Sequence, residues 1–199
     1  MKKNMFIYLL SFLSIFIPAP PRFAYGLILI FLFNIILLLI KLVNETTEKF
    51  DITKYKVVLL LFVVISVSIL YHQLLTLFSP LMSLTIGFVI YLIPVALLPI
   101  NYITPFKEYF CSKTYSELIK LLGIFSGYSL LFFFLRELLA FGSISYPGRN
   151  GIVIYHFPIE FLSDYNFFWS SIPGALILAA AFLVTVPAIH FKNKDISEN

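Results

Sequence analysis

Uncharged stretches set the organisation of the chain. From Phe23 to Ile40 there are 18 residues, of which only Asn34 is strongly polar. With its flanks, that length crosses about 30 Å of hydrocarbon at about 1.5 Å per residue. Between Val57 and Phe106 no residue carries a formal charge at neutral pH. Such a length calls for two crossings, and Ser79-Pro80 is the predicted turn, because proline disfavours helix in the residue before it. A further span is predicted at 118–141, and the last lies inside the uncharged stretch Tyr165 to Ile189. The N-terminal apolar run, Met5 to Ile17, is only 13 residues long and is stopped by Pro18, Pro20 and Pro21. It reads as a half-helix, a re-entrant segment or a signal-peptide core; no small-x-small cleavage site follows it cleanly, which favours retention.

Composition excludes the other broad classes. The chain of 199 residues is 60% hydrophobic and 12% charged, where an ordinary soluble domain carries roughly 25% charged residues. Lipid is the solvent that accommodates 23 Phe and 12 Tyr in so small a chain. Disorder is excluded by the wealth of Leu, Ile and Phe. Cys111 is the only cysteine, so neither an internal disulfide nor a thiolate cage within this chain is available.

Positive charge orients the spans. Six alternating crossings starting inside, at about 5–17, 23–42, 57–78, 81–100, 118–141 and 168–189, make one membrane domain over residues 1–199. Eleven basic residues then lie inside, against Arg22 and Arg149 outside, with Arg136 within a span. That split obeys the positive-inside rule and puts both termini in the cytoplasm of a cell with an inner membrane. The net charge of +4 then reflects orientation against anionic lipid, and nucleic acid is not an expected partner.

Several residues are awkward in a membrane. Arg136-Glu137 is the only charge pair inside a predicted span, about five residues from its outer end. It reads either as a functional pair or as an interfacial anchor with Arg136 reaching head groups. His72 falls in the third segment, as a titrating or ion-binding group or as a neutral hydrogen-bonding one. Asn34 has the same ambiguity. Gly123 and Gly127 form a G-x-x-x-G packing signal, and Ser83/Gly87 and Ala175/Ala179 are small-x-x-x-small pairs. The loop of about 23 residues after the fifth span holds Arg149-Asn150-Gly151, which reads as an ordinary turn. Prolines interrupt the first segment and also the fourth, at Pro94 and Pro99, so a 3+3 inverted repeat with interrupted first and fourth helices is the expected all-α architecture. No phosphate-binding glycine loop and no zinc-peptidase motif occurs.

These residues add up to a resemblance. Gly127-Tyr128, Phe134-Leu135-Arg136-Glu137-Leu138 and Gly142 resemble the G-Y…F-x-R-E-L-x-G-x-G signature of the six-span subunits shared by the Rnf and Nqr electron-transport complexes. Pro173-Gly174-Ala175 matches the P-G-A that opens the last helix of the Rnf subunits A and E. The order and spacing of the segments, including Gly87 in the fourth, agree over nearly the whole chain. The resemblance implies two six-span subunits of opposite orientation, each giving a cysteine from its first and fourth half-helices to an iron or 2Fe-2S centre held between them. The inside N-terminus matches the Rnf E/Nqr D type.

The chain departs from that pattern where the metal would sit. Anchoring on Asn4 and Gly87 places Ser14 and Ile93 at the two cysteine positions, and Cys111 lies about 18 residues beyond Ile93. Neither Ser14 nor Ile93 supplies a thiolate, so no cofactor is expected. Ala140 replaces a signature glycine, which allows a looser helix crossing. The resemblance therefore implies a diverged, non-catalytic membrane subunit, with the bilayer and other membrane subunits as partners. The alternatives are a small transporter or permease subunit with a cavity between the two broken helices, or a membrane scaffold with no redox role.

Overall fold

The computed structural model describes residues 12–51, 53–100, 115–148, 151–157, 166–182 and 184. The chain enters as a short 3-10 helix, Phe12–Phe16, and then turns through Pro18, Pro20 and Pro21. Helix α1 runs from Phe23 to Lys49, α2 from Lys56 to Phe78, α3 from Pro80 to Ile100 and α4 from Tyr115 to Phe141. A β-hairpin follows, β1 Ser143–Gly148 and β2 Gly151–His156, then a short α5, Asn166–Ser170, and α6, Ile172–Phe182. Four of the helices, α1 to α4, are long and apolar enough to cross a bilayer.

Local chemistry explains the boundaries. Ser79 is extended (φ −154°, ψ 88°) between α2 and α3, and Pro80 opens α3 at a position where its missing N–H costs nothing. Helix α4 stops at Gly142, whose φ of +56° and N–H to the Leu138 carbonyl (2.9 Å) make the left-handed helix stop that glycine permits. Ser171 breaks α5 from α6, and its hydroxyl accepts the Gly174 N–H at 3.4 Å.

Helix α1 is the centre of the bundle, packing on α2, α3, α4 and β1. Its 27 residues include 14 buried ones, nearly all on one broad face, with Phe31 and Leu42 exposed on the other. Phe16 of the 3-10 helix inserts beside Phe33 of α1 and Phe125 and Phe133 of α4, with ring centroids 5.8, 6.1 and 5.8 Å away. Phe33 and Phe125 approach to 4.6 Å. Since lipid is as apolar as these side chains, close packing rather than transfer out of water holds this core together. Helix α2 fully buries only Leu60, Val64 and Ser68, flanks them with half-buried Val63, Tyr71 and Leu75, and turns others, such as Phe62 and Leu77, outward as a lipid-facing surface does. Polar contacts stitch the helices: Tyr71 donates to the Ile28 carbonyl at 2.7 Å, and Thr76 and Ser83 hydroxyls meet at 2.7 Å.

Two expectations are corrected here. The fold is not all-α, because residues read as a loop form a two-stranded antiparallel sheet in which Gly148 faces Gly151 across residues 149–150. The alternation Ser-Ile-Ser-Tyr and the β-branched run Ile152-Val153-Ile154 carried that signal. The fourth segment is also not interrupted: α3 continues helical through Pro94. One absent N–H inside a packed helix is tolerable where neighbouring helices cover it. Of the first segment, residues 5–11 lie outside the described residues; after the 3-10 helix the chain is irregular from Ile17 to Arg22, where its prolines stand.

Candidate functional site

The buried polar centre of the molecule is built on Arg136 and Glu137, near the end of α4. Adjacent residues on a helix point about 100° apart, and these two do not pair with each other. Arg136 turns into the protein and is 2% exposed. Its Nη1 donates to the carbonyls of Ile17 (3.2 Å) and Ala19 (2.8 Å), and its Nη2 to the carbonyl of Ser170 (3.3 Å). Those carbonyls lie where the first segment unravels and where α5 ends. A guanidinium is suited to that place, since its planar fork serves several acceptors at once and a cation is favoured at helix C-termini.

Glu137 serves the other side of the same break. Its Oε2 accepts the Phe23 N–H at 2.6 Å, the first amide of α1, where the N-cap residue Arg22 gives no side-chain cap. The same oxygen accepts the Ser145 N–H (3.1 Å) and Oγ–H (2.8 Å), and Oε1 accepts Ser143 Oγ–H at 3.3 Å. Arg22 completes the cluster with a 3.1 Å ion pair to Glu137, while its guanidinium stacks 4.0 Å from the centre of the Phe141 ring. Ser145 Oγ in turn accepts the Ala24 N–H at 3.2 Å. Sequence reasoning placed Arg22 in an outer loop and did not find Ser143 or Ser145. Their alternate spacing on a strand, both facing the helices, was the available signal.

The remaining candidates have ordinary polar or packing partners. Asn34 donates from Nδ2 to Ser126 Oγ of α4 at 2.8 Å, a half-buried contact between α1 and α4. His72 meets Tyr91 across α2 and α3, its Nδ1 3.2 Å from the phenol oxygen, and lies over Gly87, whose missing side chain makes the room. Gly174 is a close-approach glycine: a methyl there would strike the Phe168 carbonyl and the Trp169 backbone. Pro173 beside it is exposed in the first turn of α6. Gly123 and Gly127 face outward, with nothing near where a side chain would be, so they pack no helix among the described residues. Missed by the sequence reading was Lys41, which is 1% exposed, pairs with Glu45 at 2.9 Å and sits 5.2 Å from the Tyr115 ring.

Of the two positions where the resemblance would put cysteines, Ser14 is exposed on the 3-10 helix and Ile93 is buried on α3, and those two elements pack on each other. The donor set does not fit an iron centre. Ile93 is an aliphatic side chain with no exposure, and Ser14 offers a neutral hydroxyl where soft thiolates are needed. Cys111 lies outside the described residues. Among the described residues no three His, Cys, Asp or Glu side chains gather as a metal site. Comparison of the chain with protein-family models, with curated proteins and with solved structures finds no match.

Proposed function

We infer that the chain is a scaffold subunit of a membrane assembly of the Rnf/Nqr type, without an iron centre of its own. The observation that carries this reading is the use of Arg136 and Glu137, the heart of the signature. Both are buried, and their bonds go to backbone carbonyls, backbone amides, serine hydroxyls and Arg22 around the break between Ile17 and Phe23. Such a pair organises a discontinuous chain entry rather than transferring electrons or protons. An expensive intramembrane charge kept for this purpose supports descent from a scaffold in which the first segment had to be held as a half-helix.

In this reading the chain crosses a cytoplasmic membrane six times with both termini inside, contacts lipid along α2, and works with other membrane subunits. Its redox role, if the assembly has one, belongs to those partners. The test is to tag the chain at its own expression level, extract it in mild detergent and identify what remains bound in fixed proportion. Rnf/Nqr-type membrane subunits are expected. A chain purified without them from membranes that contain them would overturn the proposal, as would iron bound by the isolated subunit.

A further inference from the structure

The turn between α2 and α3 borders a cavity of about 600 Å³. Its walls come from Ile28 of α1, Leu77 and Phe78 at the end of α2, Ser79, Met82 of α3 and Pro147 of the hairpin. A second cavity, of about 350 Å³, runs along α1 and α2 between Phe31 and Ile35 on one helix and Val67, Leu70 and Leu74 on the other. Leu75 and Phe78 line both, so the second continues the first as one groove.

The two parts differ in chemistry. The long part is lined by apolar side chains and by Tyr71, whose hydroxyl is already spent on the Ile28 carbonyl at 2.7 Å. The part at the turn holds unpaired polar groups. Ser79 is extended, and the turn is held by its N–H to the Leu75 carbonyl (2.8 Å) and by the Ser83 N–H to the Ser79 carbonyl (3.1 Å). Among the described residues this leaves the last carbonyls of α2, at Leu77 and Phe78, and the first amides of α3, at Leu81 and Met82, without backbone partners. Ser79 is 3% exposed, and its hydroxyl has no hydrogen-bond partner. A helix C-terminus favours a cation and an N-terminus an anion, so the turn sets a place for each charge side by side. No Lys, Arg, Asp or Glu lines either part.

We propose that this groove holds one zwitterionic phospholipid with a primary ammonium head group, an ethanolamine lipid. Its ammonium sits at the carbonyls of Leu77 and Phe78, its phosphate at the first amides of α3, and one acyl chain lies along Phe31, Leu70 and Leu74. An ammonium brings three N–H donors to the unpaired carbonyls and the Ser79 oxygen. A choline head carries the charge without a donor, and an anionic glycerol head carries no cation. Depth fits the same occupant. From Val67 to Phe78 α2 rises about 16 Å, which is half of the roughly 30 Å of hydrocarbon and so the depth of one leaflet. The groove is also continuous with the exposed apolar surface of α2. The inference rests on the reading of the chain as a membrane protein and is independent of the Rnf/Nqr resemblance.

Lipid competition tests it. The full chain is reconstituted into vesicles of equal parts phosphatidylethanolamine, phosphatidylcholine and phosphatidylglycerol with matched acyl chains, re-extracted in mild detergent and weighed intact by native mass spectrometry. One retained lipid per chain is expected, with the ethanolamine lipid favoured about tenfold over the choline lipid, as hydrogen bonds from a charged donor predict. Leu74→Trp, which fills the long part of the groove from a partly exposed position, is expected to retain none. Phe62→Trp, exposed on α2 outside the groove, is expected to retain the lipid as the parent does. Equal retention of the three lipids, a preference for phosphatidylglycerol, or parental retention by Leu74→Trp would each overturn the lipid site. Release of the chain from native membranes by alkaline carbonate would instead overturn the membrane reading beneath it.

Discussion

Glu137 accepts the backbone N–H of Phe23 at 2.6 Å, so a carboxylate on α4 caps a helix whose first residue lies 114 positions earlier in the chain. Its neighbour Arg136 binds the carbonyls of Ile17 and Ala19 on the other side of the same break. One dipeptide thus satisfies both the orphan carbonyls that end the first segment and an orphan amide that begins α1. Buried groups of this kind left unsatisfied cost about 1–3 kcal/mol each.

Glu137→Ala should therefore destabilise the protein strongly. It removes the cap, takes the ion pair from Arg22 and frees the Ser145 amide, and lost hydrogen bonds to a charged group cost about 1.5–3 kcal/mol each. Glu137→Gln, which keeps the shape and one acceptor, should lose less. Lys56→Ala, which deletes the pair with partly exposed Glu48, should cost about 1 kcal/mol or less. Detergent-denaturation midpoints of the three variants check the order.

Arg136→Lys should not rescue Arg136→Ala fully. A single ammonium cannot reproduce a planar fork that meets carbonyls from two separate segments, and a lost charged hydrogen bond costs about 1.5–3 kcal/mol. Because Arg136 and Glu137 hold the two sides of one break, the double variant Arg136→Ala/Glu137→Ala should lose less stability than the two single losses added. Strict additivity, measured in the same denaturation assay, would show that the two sides are held independently.

Among the glycines, position decides the outcome. A methyl at Gly26 would collide with the ring of Phe133, which is itself fully buried. Gly26→Ala should cost about 1–3 kcal/mol by overpacking. Gly123→Ala and Gly127→Ala, with open space around them, should stay within about 0.5 kcal/mol of the parent. Thermal stability in detergent separates these cases, and a large loss at Gly123 or Gly127 would reveal a contact made by another chain.

Topology can be read directly. Reporter fusions placed after residue 52 and at the C-terminus should report cytoplasm, and one placed near residue 150 the opposite side, as the distribution of lysines requires. The reverse pattern would invert the orientation of every segment.

The four long apolar helices were legible in sequence because hydrocarbon imposes a long uncharged run, a signal that needs no knowledge of neighbours. Ser79-Pro80 marked the α2/α3 turn for an equally local reason. Pro94 misled, since whether a proline breaks a helix depends on what packs around the freed carbonyl. The hairpin was hidden inside a segment that looked like a loop, although its alternation was visible in retrospect.

What the chain itself determined was four apolar helices long enough to cross a membrane, α1 to α4, and the position of the Arg136-Glu137 pair in the last of them, all from residue type and short-range spacing. Only the tertiary structure decided which groups those two charges serve. Ile17 lies 119 positions before Arg136 and Phe23 114 before Glu137, and a hydrogen bond is chosen by which unsatisfied group folding brings within about 3 Å. For the same reason Gly26 became a packing site while Gly123 and Gly127 faced outward: the residue type permits close approach, but only the arrangement of helices determines where it occurs.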